Sequence, residues 1–440
     1  MLCQPLFIRL TEHRKRLGVN LVKKYVFLIE EFMMLLRVLL LMVTLSFSLA
    51  GCANEAKTMP VPKSVANAIQ LPEGFKLEVF ADFTKHPPLT RGAPRMMALD
   101  AAGNLYVSMP RQGKVVMLAR NQPENQAVLV ADNLNAPHGL VFVGEKLFVA
   151  HQDGIVVLEK DPQATSTHGW PTKTVTSLVK NLPTGGHTVK TLKLGPDGLL
   201  YINVGSSCNV CNESDPLRAT ILRYTTDGKA AGALATLGRH APNPIFASGL
   251  RNSQGFAWHP QSQAMFATNN GADNRSEIKN GPVNDELPPE HLNLIAAGKH
   301  YGWPYCWGVA KDSQGMYSDP NFAGEADFCK SATPPAITFV SHSTPMGITF
   351  LDKTNWPAEY KHDAIVALHG SWNRKTPSGY KLVSVRFDGD MPIAVSDFAT
   401  GWLHGNAAFG RPVDVIVGAD GALYVSDDRA DVIYRISSKQ

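Results

Sequence analysis

Four groups of residues carry side chains suited to chemistry. Three of them lead directly into alternating β-formers. Gly185-Gly186-His187-Thr188 runs into LKLGPDGLLYINV, and a histidine placed there can face a central channel and accept a proton near neutral pH. In Gly249-Leu250-Arg251-Asn252-Ser253-Gln254-Gly255, Arg251 offers a fixed fork of donors for a carboxylate or an enolate-like oxygen, and Asn252 a neutral donor. Asn269-Asn270-Gly271-Ala272-Asp273-Asn274, followed by Asn284-Asp285-Glu286 and Tyr301-Gly302-Trp303-Pro304, supplies the oxygen-rich turns that suit a hard cation such as Ca²⁺, without the D-x-D spacing of an EF-hand. His369-Gly370-Ser371-Trp372-Asn373-Arg374 and Gly410-Arg411-Pro412-Val413-Asp414 add two more arginines. Each group also has a plainer reading, as a packing histidine, an arginine paired with a neighbouring strand, or a solvated turn.

The elements that must position these groups repeat. An apolar strand, a turn rich in Asp, Gly and Asn, and a strand of Leu-Tyr-Val type recur at residues 97–108, 140–150, 192–204, 256–268, 348–368 and 415–426. Each unit has the hairpin signature of turn residues between alternating β-formers, and several are followed by a further strand, such as Lys114 to Leu118 or Val432 to Ile436. The expectation is an all-β fold, a six-bladed β-propeller with long insertion loops on one face, the longest between residues 269 and 347. Phe75 to Ala81 is placed to supply the outer strand that closes the last blade. A β-sandwich is disfavoured by six similar units at this spacing.

Composition bounds the rest. The chain has 440 residues, 44% hydrophobic and 18% charged, with 36 Gly and 30 Pro, which suits a large core with many turns and excludes disorder over most of its length. Its net charge of +4 lies entirely in residues 1–52, which hold seven basic and three acidic side chains, so the other 388 residues balance. That neutrality argues against a nucleic-acid partner. Residues 33–52, MMLLRVLLLMVTLSFSLAGC, read as a secretory signal whose Leu49-Ala50-Gly51-Cys52 ending resembles a bacterial lipobox, with Cys52 acylated and Met33 or Met34 as the translation start. The division is therefore a leader at 1–52, a linker at 53–70 and a propeller at 71–438. Export to the periplasmic side implies an oxidising compartment, in which Cys208–Cys211 and Cys306–Cys329 are expected as disulfides; a thiol redox centre is the competing reading. The sequence lacks G-x-G-x-x-G after a strand, G-x-x-x-x-G-K-[ST], G-x-S-x-G and H-E-x-x-H, so nicotinamide, nucleotide-phosphate, serine-hydrolase and zincin chemistry lose support.

Taken together, His187 eight residues ahead of Gly195-Pro196-Asp197-Gly198, Gly249-Leu250-Arg251-Asn252 with Gln254-Gly255, Asn270-Gly271, and Tyr301-Gly302-Trp303-Pro304 resemble the pyrroloquinoline quinone (PQQ) dependent sugar dehydrogenases. That family includes soluble glucose dehydrogenase and the L-sorbosone dehydrogenases. The Gly-Ser-Ser-Cys-Asn-Val-Cys and His-Gly-Ser-Trp-Asn-Arg stretches are closer to the sorbosone branch. The resemblance implies a six-bladed propeller holding PQQ and Ca²⁺, with His187 as the base that takes the anomeric proton while hydride passes to the quinone. It implies further that Arg251 and Asn252 hold the quinone oxygens, that the carbonyls of Gly271 and Ala272 ligate calcium, and that Arg411 and Arg374 pair with the cofactor's carboxylates. Soluble glucose dehydrogenase has Pro at the position of Ala272. Where that enzyme has an Asp that orients the base, this chain has Ser206, so the expectation is either that another acid, Glu213 or Asp215, orients His187 or that the base is less strongly polarised.

The activity expected is oxidation of an aldose or an aldehyde sugar such as sorbosone, with electrons passed to a respiratory cytochrome or quinone. Two other classes compete: a calcium-dependent lactonase, since such hydrolases also use six-bladed propellers, and a non-catalytic propeller that binds a protein partner.

Overall fold

The computed structural model describes residues 57–58, 68–85, 89–120, 127–161, 172–233, 236–237, 241–308 and 316–439. All of them belong to one compact unit, residues 54–440. The leader and Cys52 lie outside these residues. No helix among the described residues is long and apolar enough to cross a membrane.

Six four-stranded antiparallel sheets succeed one another along the chain. Their first strands are Met97–Leu99, Leu140–Val143, Leu192–Leu194, Phe256–Trp258, Pro345–Phe350 and Pro412–Val417, which number blades 1 to 6. The fold is a six-bladed β-propeller. Every repeat read in the sequence is the first hairpin of a blade. Phe75–Asp82 pairs with Val432–Ser438 as the outer strand of blade 6, so the ring closes by joining the two ends of the propeller segment. That closure ties the ends of the ring together, while each blade keeps one short outer edge.

Period-2 alternation explains the core. Leu147 and Val149 pack against blade 1, whereas Phe148 and Ala150, one residue out of phase, pack against blade 3. Each blade therefore buries both faces, and the core is six apolar wedges between blades rather than one central mass. The inner ends of the blades are joined by polar contacts. Arg95 Nε donates to His138 Nε2 (3.0 Å), Gly139 N to Lys190 O (2.9 Å), Thr191 Oγ1 to Gln254 O (2.6 Å) and Thr268 Oγ1 to Met346 O (3.0 Å). Met97 N donates to Asp414 Oδ2 at 2.9 Å, and His369 meets Asp428 at 2.9 Å, completing the circle.

Two expectations change in detail. The stretch 269–347 is not one loop, because it contains the third and fourth strands of blade 4, Glu290–Ile295 and Ile337–Phe339. Part of the segment read as a linker pairs with the propeller: Lys57–Thr58 runs parallel to Ala407–Ala408, and Gln70 bridges to Thr400.

Candidate active site

The segments that lead into the inner strands converge at one end of the ring axis. They bring Arg95 from blade 1, His187 from blade 3, Arg251, Asn252 and Gln254 from blade 4, His342, Thr344 and Met346 from blade 5, and Arg411 from blade 6 around a cavity of about 370 Å³. Asn270, Gly271 and Asp273, which follow the second strand of blade 4, complete the wall together with Glu290, His369 and Trp372. The inner strands of all six blades line the opposite mouth of the channel.

His187 is fixed in one tautomer. Its Nδ1 lies 2.9 Å from Ser206 Oγ and 3.2 Å from Ser206 O, while Ser206 Oγ donates its own proton to Cys208 O at 2.7 Å. The hydroxyl can then only accept from His187, so Nδ1 carries the hydrogen and Nε2 keeps its lone pair. Burial, reinforced by the nearby Arg251 charge, pulls the imidazole down to about 4. The orienting group is thus Ser206 itself. Glu213 is engaged by Ser207 N and Oγ (2.6 and 2.7 Å), and Asp215 accepts from Leu217 N, so neither acid serves His187 as expected.

Arg251 is 4% exposed. Its Nη2 donates to Asp273 Oδ2 and Asn209 Oδ1, both at 2.9 Å, and its Nε to Asn209 O at 3.1 Å. Nη1 has only a 3.5 Å contact with Asn270 O and remains available to a ligand. Arg411 donates through Nε to His369 O (3.1 Å) and through Nη2 to Gly370 O, and its guanidinium lies 5.5 Å from the Tyr380 ring centre. Arg374, expected beside it, is not among the lining residues. Its Nη1 donates to Ser341 O at 3.0 Å and its Nη2 pairs with Glu286, so it braces the insertion instead.

The sequence reading omitted Arg95, which donates to Asp428 Oδ2 (2.5 Å), to Gln254 Oε1 (3.2 Å) and to His138. The signal for it was its place, since Arg95 leads into blade 1 as Arg251 leads into blade 4. Glu290 was omitted too. It is buried, accepts from Gly271 N at 2.5 Å, and is pushed up to about 7 by loss of solvation. Gly271 lines both the main cavity and a smaller one, whereas Ala272 lines only the smaller one, with His291 and Trp303.

Among the residues that line the cavity, two carboxamide oxygens, Asn252 Oδ1 and Asn270 Oδ1, are buried without a hydrogen-bond partner. Unpaired buried oxygens beside a carboxyl group and three guanidiniums suit a hard cation together with a polyanion. Cys208–Cys211 and Cys306–Cys329 are joined as disulfides. Cys208, Cys211 and Glu213 are the one group of three metal-capable side chains drawn together among the described residues, and its sulfurs are bonded to each other.

Comparison with known proteins decides the family. The TrAA12-like family model matches residues 71–439. The chain belongs to the TrAA12-like family. This TrAA12-like chain is 29% identical, over 85% of its length and 92% of the other, to an uncharacterized protein of Borreliella burgdorferi. It is 25% identical over 78% of its length to a pyrroloquinoline quinone-dependent pyranose dehydrogenase of Coprinopsis cinerea, and spans 52% of that protein. The calcium structure of the Trichoderma reesei AA12 enzyme superposes with a TM-score of 0.70 at 19% identity, covering 87% of this chain and all of that one, a likeness of fold.

Proposed function

We propose that this protein is a PQQ-dependent sugar dehydrogenase that binds PQQ and Ca²⁺ in the axial cavity and oxidises an aldose or an aldehyde sugar of the glucose or sorbosone type. The observation that carries the reading is the pairing of a base-form imidazole, His187, with three cavity-lining guanidiniums. A lactonase needs no such cluster of cations, and a trianionic quinone does. The names of the relatives in the same family support the same chemistry.

In this reading Arg95 and Arg411 meet the carboxylates of the cofactor, and Arg251 Nη1 with Asn252 meets its quinone oxygens. Asn270 Oδ1, Gly271 and Glu290 offer oxygen to calcium. Bound PQQ supplies a two-electron acceptor polarised by the metal. His187 Nε2 takes the proton of the substrate's anomeric hydroxyl, and its low basicity keeps it in the accepting form at every pH well above 4. Trp372, 42% exposed at the rim, is placed to cover the sugar. The reading extends to export, attachment to a bacterial membrane through a lipid on Cys52, and delivery of electrons to a respiratory cytochrome or quinone; the Leu49-Ala50-Gly51-Cys52 sequence supports the anchor.

The test is reconstitution. Purified protein supplied with PQQ and Ca²⁺ is expected to reduce a redox dye with aldoses or sorbosone, and to lose that activity on chelation. Absence of cofactor uptake would sink the reading. His187→Ala is expected to lower kcat by about 10²–10⁴-fold while PQQ affinity, followed by fluorescence quenching, stays within a few-fold. A His187→Ala enzyme as fast as the parent would remove the histidine from the mechanism.

A further inference from the structure

The turn between Cys208 and Cys211 lies outside the cavity wall yet touches both groups on which the proposed chemistry depends. Asn209 uses every polar atom it has apart from its amide N–H. Its Oδ1 accepts from Arg251 Nη2 (2.9 Å) and Asp273 N (2.8 Å), and its Nδ2 donates to Asp273 O (2.8 Å). Its backbone oxygen accepts from Arg251 Nε (3.1 Å) and Trp303 Nε1 (3.0 Å). One residue earlier, Cys208 O accepts the Ser206 hydroxyl proton that forces Ser206 Oγ to act as the acceptor for His187. Ser206 N in turn donates to Arg251 O at 2.9 Å.

A carboxamide suits this place because it presents one donor and one acceptor to the backbone of Asp273, as a neighbouring strand would, and leaves a second lone pair for Arg251. The disulfide closes a four-residue ring around these carbonyls and limits their rotation. Without the Asn209 side chain Arg251 would keep Asp273 through Nη2 and the backbone oxygen of residue 209 through Nε, but it would lose the acceptor it shares with Asp273 N, which fixes the two residues against each other.

We propose that Asn209, held in the Cys208–Cys211 turn, is a positioning residue that fixes the Arg251 guanidinium, and that the same turn fixes the His187 tautomer through Cys208 O and Ser206. The proposal rests on the reading of the cavity as a sugar dehydrogenase site. It makes base and cation one rigid unit, so that disturbing the turn disturbs both.

Asn209→Ala, Asn209→Asp and the double change Cys208→Ser with Cys211→Ser test it in two ways. In the enzyme loaded with PQQ and Ca²⁺, Asn209→Ala is expected to cost about 10²-fold in kcat, the scale of a small misplacement of a catalytic group, with KM changed far less. Asn209→Asp keeps the acceptor for Arg251 but sets an oxygen against Asp273 O where Nδ2 donated, and is expected to recover part of that loss. In protein free of PQQ and calcium, the imidazole titration of His187 by NMR is expected to move upward in Asn209→Ala and in the cysteine double variant, because the Arg251 charge is held less firmly against it while Asp273 remains. Unchanged kcat and unchanged His187 titration in Asn209→Ala would overturn the proposal. Should the alanine variant not fold, the cysteine pair decides by the same two readouts. A parent enzyme that turns over no sugar would overturn the functional reading alone, since the His187 titration still tests the clamp.

Discussion

A serine hydroxyl fixes the direction of the His187 imidazole but adds no negative charge to stabilise its protonated form. Burial and Arg251 therefore act unopposed by any nearer anion than Asp273, which explains the low value of about 4. Replacing Ser206 by Asp would set a carboxylate within hydrogen-bond reach of Nδ1 and raise the imidazole by roughly 1–3 units. Because the base must be unprotonated, the acid limb of the kcat/KM profile should move up by the same amount, from about pH 4 in the parent. A limb that does not move would show that another group controls it. The carboxylate would also confront Cys208 O, which now accepts the Ser206 proton, so a gain in rate above the limb is not expected. The sequence marked Ser206 as a departure from the related pattern, but not what replaces the acid. The tautomer depends on where the hydroxyl proton goes, and Cys208 O comes within reach only once the turn is folded. Glu290 and His342 were hidden for a similar reason, as was the pairing of Asp273 with Arg251: each follows from how the blades meet, and no spacing in the chain records it.

Single strands and loops were more legible. Leu105–Met109, Leu147 to Ala150, Leu200–Val204 and Leu423–Asp427 alternate apolar residues on both faces, which only a sheet packed between two others can bury. The loops were not, because their order rests on polar contacts. The segment that carries His187 shows this. Lys190 is fully buried, and its ammonium donates to Gln152 O (2.7 Å), Pro183 O (2.9 Å) and Thr188 O (3.1 Å). Burial draws it down to about 8, while three carbonyls take its three protons. One side chain thereby ties residues 183–188 to the turn of blade 2. Lys190→Met keeps the apolar stem and strands the three carbonyls, at about 1–3 kcal/mol for each that water cannot reach. The expected result is a lower urea midpoint together with a kcat loss larger than any change in KM, since the loop that loosens is the one bearing His187. A variant with parental kcat would show that the loop is held by other contacts. The insertion has a comparable brace in Arg275, whose Nε donates to Asp319 Oδ2 at 2.9 Å, both side chains buried.

At the scale of the ring, the six histidines with strongly lowered basicity or cavity positions are spread over the blades, so their protonation tests the whole molecule. His187, His291, His300 and His369 are each pulled down to about 4, chiefly by burial, and His138 falls well below its ordinary value. His342 is lowered as well. An unfolded chain would protonate these rings near 6.5, so between pH 6.5 and 4 the unfolded state binds more protons and the native state loses ground as pH falls. At about 1.4 kcal/mol per unit, each of the four loses up to about 3 kcal/mol. Five buried carboxyls, Glu290, Asp363, Asp414, Asp427 and Asp431, work the other way, each raised chiefly by burial. Glu290 is pushed up to about 7 and Asp427 to about 6, so the native state takes up their protons first and regains up to about 3 kcal/mol each over the same range. The histidines outnumber the carboxyls, and a net loss of a few kcal/mol is expected. Urea unfolding of protein free of PQQ and calcium should therefore show a midpoint clearly lower at pH 5 than at pH 7, with a similar slope. A midpoint equal or higher at pH 5 would mean that these histidines are not held neutral by burial, and with them the basis for a low-basicity His187 would go.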